Sequence, residues 1–173
     1  MEDLKVGGCG FQARKMLSAN WAVTPVNTLD GDNGLMDAYW RIFKYINKAN
    51  NQGIRLAKNG YAIFSSFMDE DHKIISGQMA FYIPNAHQAN PPAPINNLVF
   101  LERWDDVTTY DRAFGGNRGD DPKFVKKQFK FLKESLKRQN ITPYPYTEMK
   151  FIYVGHGCGK QRNEVMLLED GPM

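Results

Sequence analysis

Cysteine is scarce in this chain: two among 173 residues, Cys9 and Cys158. Two thiols without a CxxC pair cannot build a zinc site alone, which leaves free buried thiols or a single disulfide. Histidine is nearly as thin. His72, His87 and His156 are never at HxxxH or HExxH spacing, so a metal site built by the protein alone is not expected. No apolar run approaches the length of a membrane span. The opening MEDLKVGGCG lacks the apolar stretch of a leader peptide, which favours a cytoplasmic protein. If the chain were instead a trimmed mature form it would be secreted, and only then would the sequon Asn140-Ile141-Thr142 matter. An excess of one charge is lacking too. The net charge is +3, milder than a free nucleic-acid binder usually carries.

What is present is an ordinary globular balance, 42% apolar and 24% charged, in a length that suits one domain over 1–173. An internal repeat organises it. At an offset of 89 positions Phe11-Gln-Ala-Arg14 falls on Phe100-Leu-Glu-Arg103, Trp21 on Tyr110, Asp32 on Asp121 and Trp40 on Phe129. Ala62-Ile63-Phe64 falls on Phe151-Ile152-Tyr153, and no gap is needed. The repeats run over about 11–83 and 98–169, joined by a proline-rich crossover at 84–97 that reads as a stiff, extended connection.

Each half reads as two short strands, a helix and two longer strands. The strands are expected at 11–16, 21–26, 60–68 and 73–83, then at 98–104, 107–114, 149–155 and 163–169. The helices are expected at about 33–48 and 122–138. Asp121 followed by Pro122 is a helix start, and Val125, Phe129, Leu132 and Leu136 form the apolar stripe behind it. Leu35, Tyr39, Ile42 and Ile46 do the same for the first helix. Strand 73–83 alternates Ile75, Gly77, Met79, Phe81 and Ile83. Short turns between strands imply antiparallel sheet, hence α+β.

Little in the chain looks catalytic. Cys158 lies two residues from His156 in GHGCG, but neighbours in one turn seldom orient each other as nucleophile and base. GHGCG opens a strand and not a helix, so it is no phosphate loop. The first helix carries Asp37, Arg41, Lys44 and Lys48 on one polar stripe, beside Met36, Trp40 and Phe43. A solvated face explains the stripe; a flat ligand with acid groups is the functional alternative. The second helix is strongly basic from Lys123 to Arg138, and a solvated face is expected there as well.

Three segments resemble one family. YIPNAHQANPPAP at 82–94, LERWDDVTTYDRAFGG at 101–116 and GKQRNEVMLL at 159–168 are similar to stretches of the SOUL haem-binding proteins. The resemblance covers about residues 11–169. It implies a distorted antiparallel β-barrel flanked by two helices and built from two pseudo-repeated ββαββ halves. It also implies noncovalent, non-catalytic binding of haem or another tetrapyrrole, in transport, buffering or signalling, with no nucleic-acid or integral membrane partner. The family's site lies along the first helix, with basic side chains at the propionates and apolar ones under the ring. Carried over, this makes Met36, Trp40, Arg41, Phe43, Lys44 and Lys48 the ligand-binding residues. Asp37 stands where the family has a basic residue, and Arg41 replaces it from the next turn. Lys15 stands where some members carry an axial histidine, so His156, Cys158 or His87 would have to supply any protein ligand to iron. The family's segment before the third strand is replaced by LAKNG at 56–60. The alternative is the same fold retuned to another small apolar ligand or to a protein partner.

Overall fold

The structure is a computed structural model, and it describes residues 2–4, 10–27, 32–56, 60–70, 74–115, 121–145, 147–154 and 162–169. The element order is β1 (Glu2–Leu4), β2 (Gln12–Met16), β3 (Ala19–Val26), α1 (Asp32–Ile46), β4 (Gly60–Met68), β5 (Ile74–Tyr82), β6 (Phe100–Trp104), β7 (Val107–Gly115), α2 (Pro122–Lys137), β8 (Thr147–Val154) and β9 (Arg162–Leu168). After β1, two ββαββ units follow one another. All strand pairs are antiparallel, in the order β1-β2-β7-β9-β8-β4-β5-β3-β6.

The two ends of that order meet. β2 pairs β7 from Gln12↔Asp111 to Met16↔Val107, and β3 pairs β6 from Ala19↔Trp104 to Val23↔Phe100. The same register runs through both ladders, so residues 12–23 and 100–111 are two long strands, each bent once, lying side by side. The bends fall at 17–18 and 105–106, and there the sheet curls back on itself into a distorted barrel. Each bend also switches which residues face inward: Arg14 and Met16 before it, Trp21 and Val23 after it. Asp106 clamps the corner, accepting the Ser18 N–H at 2.7 Å and an ion pair from Lys15 at 2.8 Å. These contacts, led by the Lys15 hydrogen bond, hold the Asp106 carboxyl below its ordinary range.

The face turned away from both helices forms one core, with Trp21, Val23, Ile63, Ala80, Trp104, Met149 and Met166. Trp21 and Trp104 stack there at 4.5 Å. One ionic tie crosses this interior. Arg14 on β2 donates to both oxygens of Glu164 on β9, at 2.7 and 3.3 Å, and lies 3.3 Å from Asp111 on β7. Arg14, Asp111 and Glu164 are all buried.

Each helix packs on the outer face. α1 buries Ala38, Ile42, Tyr45 and Ile46 against Ala22, Val26, Met79, Phe81 and Ile83. α2 buries Phe129, Leu132 and Leu136 against Phe11, Ala13, Tyr110, Val165 and Leu167. The expected start of α2 holds: the Asp121 side chain accepts the Lys123 and Phe124 N–H groups at 3.0 and 3.2 Å. α1 ends at Ile46, two residues short of the expected boundary. Lys48 takes a φ of 84°, and the Ala49 N–H closes back on the Lys44 carbonyl at 2.9 Å, which caps the helix. β1 has no counterpart in the sequence reading.

The crossover is pinned at both ends. Gln88 and Asn20 exchange three hydrogen bonds of 2.7–3.0 Å, and Gln88 also donates to the Ile83 carbonyl. Further along, the Tyr45 hydroxyl donates to the Pro92 carbonyl, and Asn51 pairs with Ala93 through backbone and side chain. Burial pushes the Tyr45 hydroxyl above its ordinary range. No helix among the described residues is long and apolar enough to cross a membrane.

Candidate functional site

The six residues read from the sequence as ligand-binding, Met36, Trp40, Arg41, Phe43, Lys44 and Lys48, lie on or just after α1. At about 100° per residue, Met36, Trp40 and Phe43 fall within about 60° of one another on the shoulder of the helix. Met36 is 54% exposed and Trp40 48%, large apolar groups left uncovered by the fold. Phe43 is half-buried beside them. Trp40 meets Phe43 edge-on at 5.3 Å. Tyr39, assigned from the sequence to the core stripe, completes this aromatic group. It stacks on Phe43 at 6.0 Å and touches Trp40 at 5.5 Å. Its i, i+4 spacing to Phe43 was the available signal.

The cations divide differently. Lys44 is exposed and follows Trp40 by one turn, about 40° further round the helix. Arg41 lies on the far flank, about 100° from Trp40. There its Nε donates to Thr24 Oγ1 at 2.8 Å and its Nη2 donates to the Pro25 carbonyl, so it ties α1 to β3. Lys48 is exposed, but its left-handed backbone lies beyond the helix end and off the stripe. Asp37 is exposed on the same outer face. The structure therefore brings Met36, Trp40, Phe43 and Lys44 together with Tyr39, and holds Arg41 and Lys48 apart from them.

The remaining candidates lie elsewhere. His87 ends a 3-10 turn, Asn85–His87, inside the crossover, whose hydrogen bonds go to β3 and to residues 45–51. Lys15 is taken up by Asp106 at the barrel corner. His156, Cys158, Cys9, His72 and most of LAKNG lie outside the described residues. Among the described residues, no group of three or more His, Cys, Asp or Glu side chains is arranged to hold a metal ion.

Met36 and Trp40 form an exposed apolar shoulder on α1, one of several exposed apolar places among the described residues, with Ile75, Ile95 and Phe100 elsewhere. Covering the exposed parts of both removes on the order of 200 Å² of apolar surface, about 5 kcal/mol before the costs of association. A single exposed lysine–carboxylate contact contributes about 0.2–1 kcal/mol. A flat apolar body would thus be held by the aromatic group, and Lys44 would set which way its acid groups point.

Comparison with known proteins agrees with this architecture. A family model described as SOUL heme-binding protein matches residues 4–168. Heme-binding protein 1 of Mus musculus is 29% identical over 117 residues, covering 65% of this chain and 62% of that protein. Heme-binding protein 1 of Xenopus laevis is 26% identical over 110 residues, 63% and 58% of the two chains. Heme-binding protein 2 of Homo sapiens is 25% identical over 109 residues, 61% and 52%. Each alignment spans less than two thirds of the relative. Among solved structures, the EcmrR C-terminal domain superposes with a TM-score of 0.60 at 11% identity, covering 91% of this chain and 95% of that one. A hydrolase from Listeria innocua superposes with a TM-score of 0.53 at 10% identity, covering 90% of each. Identities this low speak for the fold alone. The match of the family model over nearly the whole chain, on a curled antiparallel sheet flanked by two helices, shows that this chain belongs to the SOUL heme-binding protein family.

Proposed function

We propose that this chain is a single-domain, non-catalytic binding protein for haem or a related tetrapyrrole, serving transport, buffering or signalling. The observation that carries the reading is the exposed shoulder of α1, where Met36 and Trp40 stand uncovered beside Lys44 in a SOUL-family chain. The ring lies against Met36, Trp40, Tyr39 and Phe43, and Lys44 faces a propionate. This donor set fits a tetrapyrrole body and its acid groups. When bound, haem would bring its iron; the residues on α1 supply a stacking surface and a charge. Arg41 keeps the helix in place against β3 and contributes to the ligand only through that placement.

Hemin titration followed by Soret absorbance tests the reading. Saturable one-to-one binding is expected, with Trp40→Ala weakening it more than tenfold and Lys44→Ala about fivefold or less. Arg41→Ala should lower stability more than affinity. No saturable change sinks the reading.

A second reading is favoured by Lys15, which is engaged with Asp106 at the position where some relatives carry an axial histidine. On that reading the same shoulder takes a different apolar ligand, or a protein partner. Mass spectrometry of small molecules co-purified from the native source separates the two. A tetrapyrrole upholds the first reading, and another apolar compound the second.

A further inference from the structure

We propose that α2 carries a second binding site, a basic groove for a small amphipathic dianion with an acid group at each end of an apolar body. A shallow groove of about 450 Å³, open to solvent along its length, runs along α2. Its long wall is Lys126, Lys130, Lys133 and Lys137, at i, i+4, i+7 and i+11, a single line on the helix surface. Phe129 forms part of the floor, and Glu148 on β8 stands opposite. The lysine methylenes and the phenyl ring make the walls mainly apolar, while the ammonium heads stay at the rim.

The charges are arranged in a way that selects a ligand. Lys133 is paired with Glu148 at 2.6 Å, and Lys130 lies 3.9 Å from Glu134. Two of the four lysines are thereby compensated in the middle of the groove. Lys126 and Lys137, at its two ends, have no acidic partner among the described residues. They are about 16 Å apart along the helix axis. The groove thus carries a net charge of +2 with its uncompensated cations at opposite ends, the complement of a rigid dianion.

The repeat offset places Phe129 at the position of Trp40, Lys133 at Lys44 and Lys137 at Lys48, while Lys126 takes the place of Asp37. The second half therefore has the basic character that the first half lacks at that point. The proposal does not rest on the tetrapyrrole reading of α1, because the groove, its charges and its lining belong to α2 and β8.

The test is a fluorescence titration of the full chain with stilbene-4,4′-dicarboxylate. Saturable one-to-one enhancement is expected, with stilbene-4-carboxylate binding at least fivefold more weakly. The double variant Lys126→Glu, Lys137→Glu should weaken binding at least tenfold. Lys126→Arg, Lys137→Arg should retain it, and Trp40→Ala should leave it unchanged. Both lysines are exposed, and a matching thermal melt for each variant establishes that the fold is kept. The proposal is overturned if binding does not saturate or if the mono-acid binds equally well. It is also overturned if Trp40→Ala and not the α2 variants abolishes the signal. Capture by phosphatidylserine vesicles without saturable dicarboxylate binding would make the face a membrane-attracting patch and would likewise overturn it.

Discussion

The two helices occupy equivalent places on one barrel and present different surfaces. α1 leaves a tryptophan and a methionine uncovered and has one lysine beside them. α2 turns the corresponding aromatic, Phe129, into the core at 7% exposure and lines the surface above it with lysines. The scaffold is shared, and the difference lies in a few outward positions. The same place in the fold thus carries an apolar surface on one helix and a basic one on the other.

The comparison presumes one barrel under both faces, and cutting its interior tie is the strongest way to break it. Arg14→Ala leaves Glu164 and Asp111 buried without their cation and should cost about 3–5 kcal/mol. Chemical denaturation should show one transition, moved to lower denaturant, with both helices lost together. Two transitions would mean that the halves are separable.

A smaller, one-sided break comes from Gly34. A Cβ there would lie 2.0 Å from the Asn27 carbonyl oxygen, which is backbone and cannot swing aside. Gly34→Ala should destabilise the chain by about 1–3 kcal/mol. Hemin affinity should fall with it, because α1 shifts on β3. The counterpart at the same offset is Lys123, exposed in the first turn of α2, and Lys123→Ala should stay within about 0.5 kcal/mol of the parent. Equal losses in the two variants would remove this asymmetry between the helix starts.

Tyr45 gives a third contrast, since its counterpart Glu134 is exposed while Tyr45 is buried and donates to Pro92. Its hydroxyl is raised above the ordinary tyrosine value by burial, so the folded chain favours the neutral form. Below about pH 10 the folded and unfolded chains are both neutral at this residue, and its contribution is complete. As pH rises past about 10 the unfolded chain ionises first and the contribution is lost. Tyr45→Phe should cost about 1 kcal/mol at neutral pH and flatten the alkaline fall in melting temperature. An unchanged alkaline slope would rule out this residue as its source.

The smallest effect tests the helix ends. Lys48 holds a left-handed backbone that glycine adopts without strain, so Lys48→Gly should raise stability by up to about 1 kcal/mol and leave hemin binding unchanged. A clear loss of hemin affinity would return Lys48 to the site.

Much of the fold was legible because local signals agreed. Asp121-Pro122 fixed the start of α2, alternation from Gly77 to Ile83 marked a strand and the face it turns to α1, and the offset set the order of elements in both halves. Ile75, expected on the same face, is 62% exposed, where the β4–β5 register shifts. The features that were missed depend on distant partners. β1 exists through its pairing with β2, and the straight register across the two bends is visible only when both strands are seen together. The end of α1 was set two residues late because the left-handed position there is a lysine; Asn47 and Asn50, whose side chains donate to the Phe43 and Tyr45 carbonyls, were the available signal. On α1, the grouping of Met36, Trp40, Phe43 and Lys44 on one shoulder could be read from helical spacing. The capture of Arg41 by Thr24 and Pro25 could not, because β3 lies fifteen or so positions away and its edge geometry is not written in the helix.

The central claim is that the apolar shoulder of α1 dominates tetrapyrrole binding and that charge only orients the ring. The most direct measurement is a hemin titration of the parent chain, Trp40→Ala and Lys44→Ala under one set of conditions. The account predicts saturable one-to-one binding by the parent, a loss greater than tenfold for Trp40→Ala and a loss of about fivefold or less for Lys44→Ala. Unchanged affinity in Trp40→Ala, or a larger loss in Lys44→Ala than in Trp40→Ala, would contradict it.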